Sequence, residues 1–360
     1  MNNAQIIAAK LKEFALKNEN SYFVCVDAAE AIWMGDLRQH ISENRIIHCG
    51  ISEQTAVGIA AGLALHGKKV YLIAPAYFIT GRAYEQVKLD LAYNNANVTL
   101  LAVSAGIVGD SLGGISHWAI DCLSLLKDLP HITLANVATT GELSYYLDES
   151  FNHKGFMCIM DELPYSELDL PLKIQSGKMS QICKGRDLIF LTTGNALHRA
   201  LVFKKELNKK GYWPAIYNIH SIKPFDKNEL HQLIDKGLPI VSFDEHTAGG
   251  LTSLISQIIA EYGKRVKYLP VYVCSENFNI VGYYEHICLK LLKYEEVLQN
   301  IMKMMPFFRS LFVKKEKKNP DGYVRKHTLF GFIPLLKIKN KIKNGKTKKS
   351  IYLFGFLRIR

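Results

Sequence analysis

From residue 20 to residue 160, short apolar runs alternate with amphipathic stretches. The runs Tyr22–Asp27, Lys69–Ala74, Val98–Val103, Ile132–Asn136 and Phe156–Met160 predict strands. Residues 53–66, 79–95, 118–127 and 140–147 predict helices between them, and Met1–Phe14 predicts an amphipathic helix ahead of them. Strand and helix patterns in alternation imply βαβ units and a parallel sheet, because parallel neighbours need a crossover. Residues 161–185 break the rhythm with Pro164, Pro171 and several polar positions, and 166–185 are read as a linker. A second alternation follows. Asp187–Thr193, Trp213–Tyr217, Pro239–Phe243 and Lys267–Val273 predict strands; residues 196–210 predict a helix, and a second opens at Gly249-Gly250 and runs to about Tyr262. The fold class is therefore α/β: two consecutive domains with mainly parallel sheets, over residues 1–165 and 186–302, and a tail from 303 to 360. One helix stands apart. From Thr55 to Leu65 it is apolar on every side, which predicts burial all round.

Charge changes the picture at one end only. The chain has a net charge of +12, yet residues 301–360 hold 17 Lys or Arg against Glu316 and Asp321, a balance of +15. The other 300 residues therefore carry −3, an ordinary slightly acidic body, and nucleic-acid binding is not inferred from overall charge. The tail repeats an aromatic-apolar block followed by alternating Lys or Arg and Ile, as LFGFIPLLKIK (Leu329–Lys339) and YLFGFLRIR (Tyr352–Arg360). It is similar to tails of some bacterial glycosyltransferases that build surface polysaccharide. Basic residues are drawn to anionic lipid head groups while Phe and Leu dip in. The tail is thus expected to meet an anionic membrane surface and to be dispensable for chemistry. No apolar run reaches 18 residues, and the N-terminus lacks a basic region followed by an apolar core. Seven cysteines include no C-x-x-C pair or metal spacing. The expected setting is the cytoplasm, peripheral on the inner face of the membrane, with no metal ligands in this chain.

The candidate chemistry begins at Gly50-Ile51-Ser52-Glu53-Gln54. It places a carboxylate at the mouth of the apolar helix, which is costly without a partner. Ser52 has the residue type of an N-cap. Two further stretches follow: Ala76 to Gln86, reading AYFITGRAYEQ, and Gly106 to His117, reading GIVGDSLGGISH. Together with Arg45 to Gly67, these resemble the transketolase family, and segment order matches it to about residue 300, including IKPFD (Ile222–Asp226) and DEHTAGGL (Asp244–Leu251). The resemblance implies the pyrimidine-binding and C-terminal domains of a thiamine diphosphate enzyme. Glu53 would hold the aminopyrimidine ring and move a proton there. Phe78, with Tyr77 close by, would stack on that ring, and Arg82 opens the R-A-x-E-Q helix beside it. His117 would face the reacting carbons. Glu245 and His246 are read as a satisfied pair at a strand end.

Departures from the family pattern shape the rest. Gly113 and Trp118 replace an aspartate and a glutamine, Ser104 stands where deoxyxylulose-phosphate synthases have arginine, and Cys158–Glu162 lacks the arginine that grips a substrate phosphate. A nucleotide-linked or unphosphorylated sugar fits better than an ordinary sugar phosphate. No GDG motif for Mg²⁺ and the diphosphate occurs. The expected arrangement is a split transketolase-like enzyme transferring a two-carbon ketol unit, in bacterial surface-carbohydrate synthesis. A partner N-terminal subunit carrying GDG…N would hold thiamine diphosphate and Mg²⁺ by the diphosphate, in a heterotetramer of two of each. Deoxyxylulose-type chemistry, a 2-oxoacid dehydrogenase beta subunit and a non-catalytic membrane-tethered scaffold stay open as alternatives.

Overall fold

We describe the chain from a computed structural model. It describes residues 1–27, 29–107, 114–162, 173–274 and 280–305, and beyond these the backbone of five strands. The glycine-rich loop from Val108 to Gly113 and the linker residues 166–172 lie outside the described residues.

The first half builds a parallel sheet covered on both faces. In chain order its elements are α1 (Asn3–Lys17), β1 (Ser21–Cys25), α2 (Ala29–Trp33), β2 (Ile46–His48), α3 (Glu53–Leu65), β3 (Lys69–Pro75), α4 (Tyr84–Gln86), β4 (Val98–Val103), α5 (Cys122–Leu126), β5 (Thr133–Val137), α6 (Thr140–Asn152) and β6 (Met157–Asp161). Asn2 caps α1, accepting from Gln5 N while the Gln5 side chain accepts from Asn2 N. Every residue of β4 and of β6 is buried, the signature of strands covered on both sides. Ile7, Leu11 and Phe14 of α1 pack with Tyr146 and Leu147 of α6 on one face, and α3 and α5 cover the other.

The second half runs β7 (Ser180–Cys183), β8 (Leu188–Thr192), α7 (Ala196–Lys209), β9 (Pro214–Asn218), β10 (Ser221–Lys223), α8 (Lys227–Asp235), β11 (Ile240–Phe243), α9 (Leu251–Tyr262), β12 (Tyr268–Val271), α10 (Tyr284–Leu291) and α11 (Tyr294–Met304). Its sheet has the order β12-β11-β8-β9-β7, parallel except for the edge strand β7, which runs against β9. The stretch read as linker thus ends in a strand that belongs to the second sheet. The first sheet has the order β10-β5-β6-β4-β3-β1-β2. Its outermost strand, β10, comes from the second half and pairs antiparallel with β5. The two halves therefore share a sheet edge as well as packed side chains. Among the described residues no helix is long and apolar enough to cross a membrane.

Two local features differ from the sequence reading. The predicted helix over 79–95 is a chain of turns: a π-helical run Phe78–Arg82, the short α4, and a second π-helical run Val87–Tyr93. And α3 is not buried all round. Ile51 before it is 74% exposed, Leu65 at its end 66%, and Gly58 lies on the same open side. Tyr93, from the run that packs on α3, is 71% exposed. A β-carbon added at Gly58 or Gly62 would meet nothing within 4 Å. Apolar character on every side reflects a core on one face and an uncovered surface on the other.

Candidate active site

The site is assembled where β2, β3 and β4 end. After β2 the chain turns through Gly50, whose φ of +62° suits glycine. The turn is tied to β1 by Asp27 N donating to Gly50 O at 3.0 Å. Ser52 stands at the N-cap position, but its hydroxyl donates to Thr55 Oγ1 at 2.7 Å and does not accept a backbone N–H. Glu53 opens α3 and is 1% exposed. Its Oε2 accepts from Arg82 Nη1 at 2.9 Å, while its buried Oε1 has no hydrogen-bond partner among the described residues.

Arg82 lies on a π-helical run in which Ala83 N donates to Phe78 O, a turn one residue wider than an α-turn, and positions 78 and 82 share one face. The Arg82 guanidinium lies 4.9 Å from the Phe78 ring centre. Phe78 meets Tyr77 edge-on at 5.4 Å and His117 edge-on at 5.5 Å between ring centres. His117 follows a 3-10 turn, Gly114–Ser116, and its Nδ1 lies 2.8 Å from Ser116 Oγ. The five residues singled out in the sequence, Glu53, Tyr77, Phe78, Arg82 and His117, thus form one contiguous row. The pairing of Glu53 with Arg82, 29 positions apart, carries no signal in the sequence.

Behind the row lies a seam of buried acids that sequence reasoning misses. Glu162 accepts from Asn136 Nδ2 and from Asn195 N, both at 2.7 Å, and so joins the ends of β5 and β6 to the turn after β8. Gly194 is required there: at φ +52°, a β-carbon would stand 2.3 Å from Glu162 Oε1. Glu245 accepts from Tyr284 OH, and His246 Nδ1 lies 2.8 Å from Asp244 Oδ1; His246 Nε2 is buried without a hydrogen-bond partner among the described residues, 3.8 Å from Glu162 Oε1, so the reading of a satisfied pair holds for Glu245 and not for His246. Asp161 accepts from Asn3 Nδ2 at 3.0 Å. Burial pushes the Asp161 carboxyl up to about 8, helped by the neighbouring Glu162 charge. Burial likewise pushes Glu142 and Glu245 up to about 7.

A raised acid has a stability consequence with a definite sign. Between about pH 4 and pH 8 the folded chain keeps a proton on Asp161 that the unfolded chain has released. Stability is therefore lost as pH rises through that window, by up to about 1.4 kcal/mol per pH unit. Asp161→Asn keeps the acceptor for Asn3 and removes the titration. Its urea-unfolding midpoint is expected to vary less between pH 6 and 8 than that of the wild type. Parallel curves for the two proteins would refute the assignment.

Metal chemistry finds less support. Cys25, Glu30 and His48 could place ligand atoms within 4.8 Å of one another. Yet Arg38 donates to Glu30 through Nε and Nη2, and both His48 nitrogens lie within hydrogen-bond distance of backbone atoms of Asp27 and Gly50. The guanidinium holds the place a cation would take.

Comparison with known proteins shows the family of the fold. The family model for the transketolase pyrimidine-binding domain matches residues 8–162, and that for the transketolase C-terminal domain matches residues 177–292. An apulose-4-phosphate transketolase subunit from Actinobacillus succinogenes is 30% identical over 270 residues, 73% of this chain and 86% of that protein. The chain belongs to the transketolase family. A second subunit of the same name, from Phocaeicola vulgatus, is 29% identical over 259 residues, 70% of this chain and 81% of the relative. A 1-deoxy-D-xylulose-5-phosphate synthase from Bacillus velezensis is 31% identical over 226 residues, 61% of this chain but only 35% of that protein. A solved split-gene transketolase, described as an inactive beta4 tetramer, superposes with a TM-score of 0.73 at 23% identity, covering 84% of this chain and 98% of the other. Its likeness extends the two-domain transketolase fold over the whole described body.

Proposed function

We propose that this chain is the C-terminal subunit of a two-subunit, thiamine diphosphate-dependent transketolase that moves a two-carbon ketol unit. The observation that carries this reading is the unpartnered Oε1 of Glu53, buried at the head of α3. A buried acceptor without a donor costs about 1–3 kcal/mol. A ring nitrogen of an aminopyrimidine, once it has taken a proton from Glu53, would supply that donor. Bound there, the cofactor would supply the nucleophile and electron sink of ketol transfer. Glu53 would orient the ring and hold or release a proton at its nitrogen. Phe78 would stack on the ring face, with Tyr77 backing it. Arg82 keeps the other carboxylate oxygen in place. His117, edge-on to Phe78, would donate to an oxygen on which negative charge develops.

The partner follows from the open face of α3. Gly58 and Gly62 allow close approach, and Ile51, Leu65 and Tyr93 offer apolar area that the described residues leave uncovered. A subunit seated there would bring Mg²⁺ and the diphosphate site next to Glu53. The apulose-4-phosphate transketolase relatives are themselves named as single subunits, which supports this division. At the end of β6 stand the carboxylates of Asp161 and Glu162, with His246 Nε2 3.8 Å from Glu162 Oε1, and the segment Cys158–Glu162 holds no arginine, so we read the substrate as unphosphorylated at that end or nucleotide-linked, as in surface-carbohydrate synthesis.

The test is reconstitution. The chain alone is expected to be inactive, and mixing it with an N-terminal transketolase subunit, thiamine diphosphate and Mg²⁺ is expected to yield ketol transfer from a ketose donor. Carbon dioxide release from pyruvate would instead assign deoxyxylulose-type chemistry. A stable complex with no turnover on either donor would assign a scaffold.

A further inference from the structure

The backbone on either side of His117 is held by the second half of the chain. Before it, His117 N donates to Gly114 O at 2.9 Å, closing the turn Gly114–Ser116. A β-carbon on Gly114 would stand 3.2 Å from Val281 Cγ2, so Val281, from the segment after β12, lies against this turn. After it, Trp118 is fully buried and Ile120 is buried with it. Both belong to the apolar cluster built from Phe190 of β8, Phe203 of α7 and Phe243 of β11, the core of the second half. Ile120 O accepts from Thr247 N at 2.7 Å, and Ser124 Oγ lies 3.3 Å from Thr247 Oγ1. Gly249 is needed at this contact, since a β-carbon there would stand 2.5 Å from Ser124 Oγ. A link to the first half, Ala119 N donating to Gly106 O at 2.9 Å, is itself backed from across the boundary. Glu162 Cδ would lie 3.3 Å from a β-carbon on Gly106, and Glu162 Oε2 accepts from Asn195 N in the turn after β8.

These contacts bear on chemistry because a hydrogen-bond donor acts only where charge develops, and a misplacement of about 1 Å costs about a hundredfold in rate. A side chain between two anchored neighbours takes its position from them. Packed cores are dense and do not deform continuously, so a tryptophan seated in one is a firm anchor. Trp118, a departure from the family pattern at the position after the histidine, thereby gains a role. We propose that the second domain positions His117, with Trp118 as the anchor and the Thr247–Gly249 turn as the clamp. A domain that contributes no side chain to the candidate row then sets the geometry of ketol transfer. The inference rests on the reading of His117 as donor to a developing negative charge, and it makes Trp118 and Gly249 positioning residues.

The test uses the full chain reconstituted with an N-terminal transketolase subunit. Trp118→Phe keeps an apolar ring that underfills the core, and Gly249→Ala pushes the clamp off Ser124. Each is expected to lower kcat at least about tenfold. Because Glu53 and Phe78 are untouched, KM for the ketose donor and affinity for thiamine diphosphate should stay within about twofold of wild type. Adding Ser124→Gly to Gly249→Ala makes room for the new β-carbon and should return kcat to within about threefold of wild type. A second readout needs no turnover. In the isolated chain labelled with ¹³C-histidine, the His117 ring resonance, assigned by its loss in His117→Gln, should shift in both single variants. The resonance of His153, at the end of α6, should stay in place. Wild-type kcat in both variants with an unmoved His117 resonance would overturn the inference. So would a lowered urea midpoint for Trp118→Phe with His117 unmoved, which makes Trp118 a core residue only. Absence of ketol transfer by the wild-type pair would overturn the reading of function instead, and the His117 resonance then decides the inference alone.

Discussion

Glu53→Gln is expected to lower turnover of the reconstituted two-subunit enzyme at least about a hundredfold, a barrier increase of about 2.7 kcal/mol. The amide is close to isosteric, and its oxygen still accepts from Arg82, as the carboxylate does now at 2.9 Å. What it loses is the ability to hand a proton to a ring nitrogen and take it back. Assembly should survive. Glu53 is 1% exposed, whereas the surface offered to a partner is formed by the exposed Ile51, Gly58, Leu65 and Tyr93. Size-exclusion chromatography with the partner separates the two effects. If the variant keeps more than about a tenth of the wild-type rate, less than about 1.4 kcal/mol depends on the acid, and Glu53 is a structural helix-start carboxylate.

How much of this is legible in the sequence depends on whether a feature is local. β4 and β8 are continuous apolar runs because both faces are covered, and such runs announce themselves. β7 reads as linker because an edge strand needs little apolar character: its Gln181 is exposed and it pairs on one side only. β10 is three residues long and gains its place from β5 across the domain boundary, which no local pattern encodes. The turns at Phe78–Arg82 keep helical spacing in sequence, and the π geometry appears only once β3 and α3 constrain them. The site shows the same division. Glu53, Phe78 and His117 sit in contiguous motifs and can be named. The Glu53–Arg82 pair and the Glu162–Asn136–Asn195 seam join residues 26 to 33 positions apart. An acid in the sequence does not declare whether its neighbour in space is water, a cation or an amide. The apolar α3 is the most instructive ambiguity, since hydrophobicity on every side is equally the pattern of a core helix and of an interface helix.

The open α3 leads to the second large expected effect, on cofactor binding. The isolated chain is expected to bind thiamine diphosphate at least about a thousandfold more weakly than the two-subunit complex, a difference of about 4.1 kcal/mol. The diphosphate carries most of the ligand's charge, and phosphates bound with Mg²⁺ need oxygen ligands from carboxylates and carbonyls together with waters. The one group of candidate ligands among the described residues, Cys25, Glu30 and His48, is already engaged by Arg38 and by backbone atoms. What this chain offers is the other end of the ligand: an acceptor at Glu53 Oε1 and an aromatic wall at Phe78. A single hydrogen bond contributes about 0.5–1.5 kcal/mol net, and one stacked ring adds a similar amount. Together these fall well short of the roughly 8 kcal/mol that micromolar affinity requires. Titration calorimetry on the pure chain, with Mg²⁺ present, should therefore detect no micromolar binding, and the same titration after addition of the partner should. Micromolar binding by the chain alone would mean that the diphosphate site lies within it, and the division of the active site between two subunits would fall.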